Sequence, residues 1–251
     1  RDTASAQGDF GFGEKQLLSV GADWQQDDIT STTAFDADSR DNTGVFVEYQ
    51  GTFGTQQLQA SVRNDDNQQF GNHTTGSVGW GMAFGSGFKL NASYGSGFKA
   101  PTFNDLYYPF FGNPDLDPES SKSFNLGLAQ YASTWNWTFN VYETRVDDLI
   151  SYDAAIFLPN NIETARIRGA ELTGAMSLAG WDLAAQISHT DPRNRTDGYN
   201  HGNVLARRAR DTARIDVDRA FGDFRFGITA NGSGHRFDDA ANSVRLAGYG
   251  T

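Results

Sequence analysis

Polar and apolar residues alternate one by one along this chain, in stretch after stretch. Leu18, Val20, Ala22 and Trp24 alternate with Ser19, Gly21, Asp23 and Gln25. Val45, Val47 and Tyr49 alternate with Phe46, Glu48 and Gln50, and Leu58, Ala60 and Val62 with Gln59, Ser61 and Arg63. The same rhythm returns at 88–94, 135–141, 213–218 and 224–230. Successive side chains of a strand point to opposite faces, so a period of two demands sheets with one apolar and one polar face. No helical fold satisfies that pattern.

The connections carry a second pattern. Short turns are expected at Gly11–Gly13, Gly51–Thr55, Gly85–Gly87, Ala132–Ser133, Ala179–Gly180 and Phe221–Asp223. Between them lie long polar links at about 28–42, 65–73, 97–119, 148–162, 191–208 and 235–242. On this reading short and long connections alternate without exception. An antiparallel up-and-down transmembrane β-barrel does this, with tight turns on one side of the membrane and long loops on the other. The count is about 13 strands of a larger barrel.

Composition fits that reading. Only 38% of residues are hydrophobic and mean hydropathy is -0.54, as expected where the lipid face uses every second residue. No apolar run approaches the roughly 20 residues of a spanning helix. Tyr49, Phe53, Phe84, Phe88, Tyr131, Trp135, Trp181, Phe221 and Phe224 lie within a few residues of the short turns, where an aromatic girdle belongs. Arg63, Lys89, Arg214, Asp216, Asp218 and Arg225 fall on the polar face, which a wet or plugged lumen accepts. On the lipid face near the midplane each Arg or Lys would cost about 2–4 kcal/mol. The competing architecture is a soluble sandwich with an aromatic-rich core. The net charge of -11, with no basic stripe, argues against nucleic acid as a partner. There is no cysteine, hence no disulfide and no thiolate metal site. The chain begins at Arg1 without a leader and ends at Thr251 inside what reads as a strand. It is therefore read as one barrel domain over 1–251, incomplete at both ends, with no plug domain. An open set of strands leaves two unpaired edges, so this stretch alone is not expected to insert.

The connection 97–119 is unusually informative. It opens with Gly97-Phe98-Lys99-Ala100-Pro101 and closes with Gly112-Asn113-Pro114-Asp115-Leu116-Asp117-Pro118-Glu119. Prolines fix φ and Asn and Asp favour turns, so this is an ordered connection rather than a linker. Both runs resemble the barrel signature of TonB-dependent outer-membrane receptors. Val141–Ile150, followed by Asn161-x-Glu163-x-Ala165-Arg166-Ile167-x-Gly169-x-Glu171, is similar to a further family signature, in the expected order.

Within that family the likeness is to cobalamin (corrinoid) receptors of the BtuB type. It rests on Gly13-Glu14-Lys15-Gln16, on Arg63 to Gly71, and on Leu205-Ala206-Arg207-Arg208-Ala209. The resemblance implies that Arg207 helps to contact the corrinoid, whose amide and phosphate oxygens suit a guanidinium. Arg207 is also readable as a rim or lumen ion pair with the many nearby acids, and Arg208 and Arg210 are read that way. Tyr107 and Tyr108, with Phe110 and Phe111, either offer an apolar ligand surface in the vestibule or pack the loop on itself. The loop Gly234–Asn242 departs from the family pattern in being short and lacking a tyrosine.

Nothing assembles into a catalytic centre, so the chain is not read as an enzyme and no cofactor is expected. His73, His189, His201 and His235 fall in or beside long links and read as solvent-facing polar residues, with no metal-binding spacing. Asp27-Asp28, Asp65-Asp66, Asp147-Asp148 and Asp238-Asp239 lack a complete calcium spacing and read as solvated loop charges. What the resemblance implies is TonB-dependent uptake of cobalamin or a related corrinoid. The expected partners are that ligand, outer-membrane lipid, and the TonB complex acting through the missing plug. A ferric siderophore, haem or other metal chelate is the alternative ligand, and a passive porin the alternative of a different class.

Overall fold

The computed structural model describes residues 1–153, 156–161 and 164–251. Ile162 and Glu163 of the second signature lie outside the described residues. The chain falls into two compact units. The first comprises Arg1–Trp80, Ser93–Ser123 and Val146–Thr164; the second comprises Gly81–Ala92, Phe124–Arg145 and Ala165–Thr251.

In chain order the structure opens with β1 (Asp2–Gly11), β2 (Gln16–Asp28), β3 (Ser39–Phe53), β4 (Gln56–Asn67), β5 (Gly71–Phe84) and β6 (Phe88–Lys99). A short helix α1 (Phe103–Tyr107) follows, then β7 (Glu119–Tyr131), β8 (Trp135–Asp147) and the small strands β9 (Ile150–Asp153) and β10 (Leu158–Asn161). The chain continues through β11 (Ala165–Leu178), β12 (Trp181–Asn194), β13 (Asp211–Phe221), β14 (Phe224–Ser233), β15 (Arg236–Phe237), β16 (Arg245–Leu246) and β17 (Tyr249–Gly250). Thirteen of these strands form one sheet in sequence order, interrupted only where β9–β10 and β15–β16 make separate two-stranded ribbons. Neighbouring strands pair antiparallel, as in β2–β3, where Val20 faces Val47 and Leu18 faces Tyr49.

The expected faces are present. In the first unit Val45, Val47 and Val62 are 53%, 49% and 58% exposed. In the second, Leu172, Ile187, Ile215 and Ile228 are likewise exposed. In water each such side chain would forfeit about 1.5–3 kcal/mol of burial, so a sheet with this face bare is built for lipid. A soluble sandwich would have buried these residues. The buried apolar side chains lie elsewhere: Phe103, Leu106 and Leu116 in the long connection of the first unit, and Ala129, Ala165 and Val204 in the second.

The opposite face is polar and paired. Arg63 holds Asp23 and Asp65, at 2.7 Å in each case. Arg214 pairs with Asp216 at 2.7 Å, and Thr229 donates to the same carboxylate. Lys89 sits over the Tyr131 ring and Arg225 beside Asp218. The turn aromatics pair within each unit: Phe12 with Tyr49 in the first, Phe84 with Phe88 and Trp181 with Phe221 in the second.

One loop expectation needs correction. The link 65–73 is not long: β4 runs to Asn67 and β5 starts at Gly71, leaving three residues between them. Asn67 closes this turn, its Oδ1 accepting from the amides of Gln69 and Phe70, while Gly71 takes φ 73°. Short and long connections therefore do not alternate without exception. The link 148–162 is long as expected, and it carries the β9–β10 ribbon, with Tyr152 opposite Pro159.

Candidate ligand-binding site

In the first unit, the 97–119 connection is built around buried Pro101 and α1. Thr102 caps the helix: its hydroxyl accepts from the Asp105 amide at 3.2 Å, and Asp105 accepts from the Thr102 amide at 3.1 Å. This reciprocal box fixes the first turn and points Phe103 and Leu106 inward. Arg40 donates to the Pro101 carbonyl at 3.0 Å and lies over the Phe103 and Phe70 rings. Gly112 has no room for a side chain, because a Cβ would meet the Leu106 carbonyl.

The signature residues prove to be braces. Asn113 donates to the Pro159 carbonyl at 2.9 Å. Asn161 accepts from the Asp117 amide at 2.9 Å and donates to the carbonyls of Asp117 and Asp148. Glu119 is buried, accepting from Lys99 at 3.2 Å and from the Ile150 amide at 3.0 Å. The two motif runs and the β9–β10 ribbon are thus tied into one ordered body.

That body displays aromatics. Tyr107 accepts a 2.6 Å hydrogen bond from the Gln69 side chain, so its hydroxyl serves packing. Tyr108 is half exposed and meets Phe35 edge-on at 6.0 Å. Phe111 stacks on Tyr152, with centroids 6.1 Å apart, and Phe110, at φ 63°, is fully exposed. The sequence singles out Tyr107, Tyr108, Phe110 and Phe111 but not Tyr152, which only the ribbon brings to this surface.

In the second unit, Arg207 lies in the loop between β12 and β13. Asn242 holds that loop, bonding both the amide and the carbonyl of Val204 at 2.8 Å. Arg207 has φ 60°, donates its amide to Phe237 and its Nε to Asp238 at 2.9 Å, and leaves 76% of its side chain exposed. Asp239 next to it accepts from the amides of Ser243 and Val244 and from the Ser243 hydroxyl, which lowers its pKa below the usual carboxylate value. Arg208 is exposed, while Arg210 pairs with Asp191 at 3.0 Å.

The histidines are not all loop residues. His73 lies in β5, stacked on Phe98 with centroids 3.7 Å apart, and His189 lies in β12 beside Asp211 at 2.6 Å. His201 bonds the Thr196 carbonyl, and His235 sits beside the Phe237 ring. The acidic pairs are used structurally as well: Asp65 by Arg63, Asp147 by Thr164 and Asp238 by Arg207. Among the described residues no three His, Asp or Glu side chains converge as a metal site.

A family model described as TonB dependent receptor-like, beta-barrel matches residues 1–251. The chain belongs to the TonB-dependent receptor β-barrel family. It is 32% identical to a protein named vitamin B12 transporter BtuB from Photobacterium profundum, over 99% of this chain and 42% of that protein. A ferric enterobactin receptor (PfeA) mutant from Pseudomonas aeruginosa shares the fold at TM-score 0.79 and 17% identity, over 99% of this chain and 44% of that one. The copper transporter OprC does so at TM-score 0.78 and 18% identity, over 99% and 46%. The chain thus spans less than half the length of the relatives it matches.

TonB-dependent receptor barrels are outer-membrane proteins, and the exposed apolar face of this one is its lipid face. The family is one of receptors and transporters rather than enzymes. No helix among the described residues is long and apolar enough to cross a membrane.

Proposed function

We propose that this chain is the ligand-binding barrel portion of a TonB-dependent receptor for cobalamin or a related corrinoid. The observation that carries the reading is the 32% identity, across 99% of the chain, to a protein named for vitamin B12 transport. The structural neighbours named for enterobactin and copper share too little sequence to argue for a ligand, and support the fold alone.

Arg207 is the proposed polar contact. Its Nε is engaged by Asp238, but most of the side chain faces solvent, and five fixed donors suit amide and phosphate oxygens. Tyr108 is proposed as an apolar contact through its exposed ring, and Tyr107 as the brace that orients it. The barrel contributes no bond-making chemistry. Uptake is assigned to binding at these loops, followed by TonB-driven opening of the lumen through a plug.

The test is cyanocobalamin binding by the full-length protein in detergent, with Arg207→Ala and Tyr108→Ala alongside. Tight binding weakened by both variants supports ligand and contacts together. Tight binding unchanged by Arg207→Ala keeps the ligand and rejects the residue. A folded protein that binds no cobalamin moves the assignment to a siderophore, haem or another chelate.

A further inference from the structure

On the outward face of the second unit, apolar residues give way to arginines along a single line. In β8 the outward residues run Trp135, Trp137, Phe139, Val141, then Glu143 and Arg145. In β11 they run Leu178, Met176, Gly174, Leu172, Ala170, then Arg168 and Arg166. In β12, Leu183, Ala185 and Ile187 precede His189, Asp191 and Arg193. The register aligns these changes: Leu172 is opposite Ile187 and Arg168 opposite Asp191, while Ile187 faces Ala213 and His189 faces Asp211. Tyr142 fixes the parity, because it reaches over Gly169 to Thr190 on the lumen side, leaving Glu143 and Arg168 outside.

The charged side of that line is strongly cationic. Arg145 and Arg168 both bond Glu143; Arg193 and Arg210 both bond Asp191, at 2.7 and 3.0 Å. Arg166 has Arg168 and Arg195 as repelling neighbours, set against the attracting carboxylates of Glu143 and Asp191. Asp211 is taken up by His189. Among the described residues, six arginines therefore face these three carboxylates, in a chain whose net charge is -11. Among the described residues, the Nε atoms of Arg166, Arg195 and Arg210 are buried without a hydrogen-bond partner, so the cluster has donors that these acids do not satisfy.

We infer that this cluster binds the phosphorylated headgroup of an outer-leaflet membrane lipid. Planar guanidinium forks match phosphate oxygens, and surplus arginines held side by side need an anion between them. Position selects a lipid over a soluble anion. The cluster begins one residue pair above the apolar band, on the same outward face, at the height where headgroups meet acyl chains. Acyl chains of the same lipid would lie along Leu172, Met176 and Ile187.

The test uses full-length protein in mixed micelles containing either bisphosphorylated lipid A or its dephosphorylated form, with bound lipid read by native mass spectrometry. The wild type is expected to retain the phosphorylated lipid selectively. The double variant Arg166→Gln, Arg195→Gln is expected to retain it about tenfold less well, and the corresponding double Lys variant to keep most of it. Heat-modifiable mobility of each variant monitors folding. Equal retention of the dephosphorylated lipid by the wild type would overturn the inference, and that comparison needs no variant to fold. So would unchanged retention by a folded Gln variant, or displacement by millimolar inorganic phosphate, which would make this a simple anion site.

Discussion

Arg63 lies flat across Gly44, so that a Cβ on the glycine would occupy the place of the guanidinium. From there the arginine forks to both oxygens of Asp23, at 2.7 and 2.8 Å, and to both oxygens of Asp65, at 2.9 and 2.7 Å. Asp65 is on Arg63's own strand β4, Gly44 is on β3 and Asp23 on β2, so the side chain reaches across β3 to fasten β4 to β2 on the lumen face. Since about a third of the pair remains wet, Arg63→Ala is expected to cost about 1–2 kcal/mol. Gly44→Ala should cost a similar amount by evicting the guanidinium. The double variant should cost less than the sum, because the two changes destroy one interaction. Melting of heat-modifiable mobility across the four proteins measures this. Strict additivity would show that Gly44 and Arg63 are independent.

Glu119 fastens a different set of elements. Its Oε1 takes both the Lys99 ammonium and the Ile150 amide, joining the two signature runs to the β9–β10 ribbon. Glu119→Gln keeps an acceptor for the amide and is expected to be mild. Glu119→Ala leaves a buried N–H unpaired, a loss of about 1–3 kcal/mol, felt locally. Hydrogen exchange over 148–161 should accelerate in the alanine variant and stay near wild type in the glutamine variant. Similar exchange in all three proteins would remove Glu119 from the role of tether.

The strands are legible in the sequence where one face meets lipid, because there every second residue must be apolar. Past the membrane both faces of a strand are wet and the alternation fades although the pairing continues. The pattern therefore stops near Arg63 in β4, at the polar run Asn64–Asn67, and near Asp191 in β12, while both strands go further. The signal that shortens the link 65–73 is Asn67 ahead of Gly71, a side-chain acceptor and a residue free to take positive φ. Helix α1 is signalled by Thr102 and Asp105 at capping-box spacing. Arg207 is located by resemblance, but its partner Asp238 is 31 residues away and no local pattern links them. The β9–β10 ribbon is hidden for another reason: its partners are close in sequence, but its Pro159 and Asn residues read as loop.

Asp239 makes acid behaviour in the second unit predictable. Its carboxylate is stabilised first by the Val244 amide and then by the Ser243 hydroxyl, so its folded pKa lies below the ordinary aspartate value. A depressed carboxylate contributes stability above its unfolded pKa and loses it as pH falls through the lower, folded value. The turn 239–244 should therefore be intact at about pH 5 and loosen only below the normal carboxylate range. Pepsin cleavage of this loop followed downward in pH should show that onset. In Asp239→Asn the step should be gone, with cleavage already raised at the upper end of the range; a variant that titrates like wild type would assign the transition to another group.

Arg207 allows strain, ion pairing and ligand contact to be separated. The residue holds φ 60°, a region that costs a side-chain-bearing residue about 1 kcal/mol and glycine nothing. Its Nε pairs with Asp238, but with the arginine side chain 76% exposed the pair adds little to stability. Arg207→Gly is therefore expected to leave thermal stability unchanged or slightly raised while weakening cyanocobalamin binding. Arg207→Ala should weaken binding equally without the relief of strain. Asp238→Asn frees the Nε without removing the guanidinium, so binding should be retained or tightened. These three variants, read by melting and by ligand titration on the same preparations, distinguish a ligand contact from a loop fastener. If binding falls with Asp238→Asn as far as with Arg207→Gly, the ion pair shapes the loop and the guanidinium does not touch the ligand.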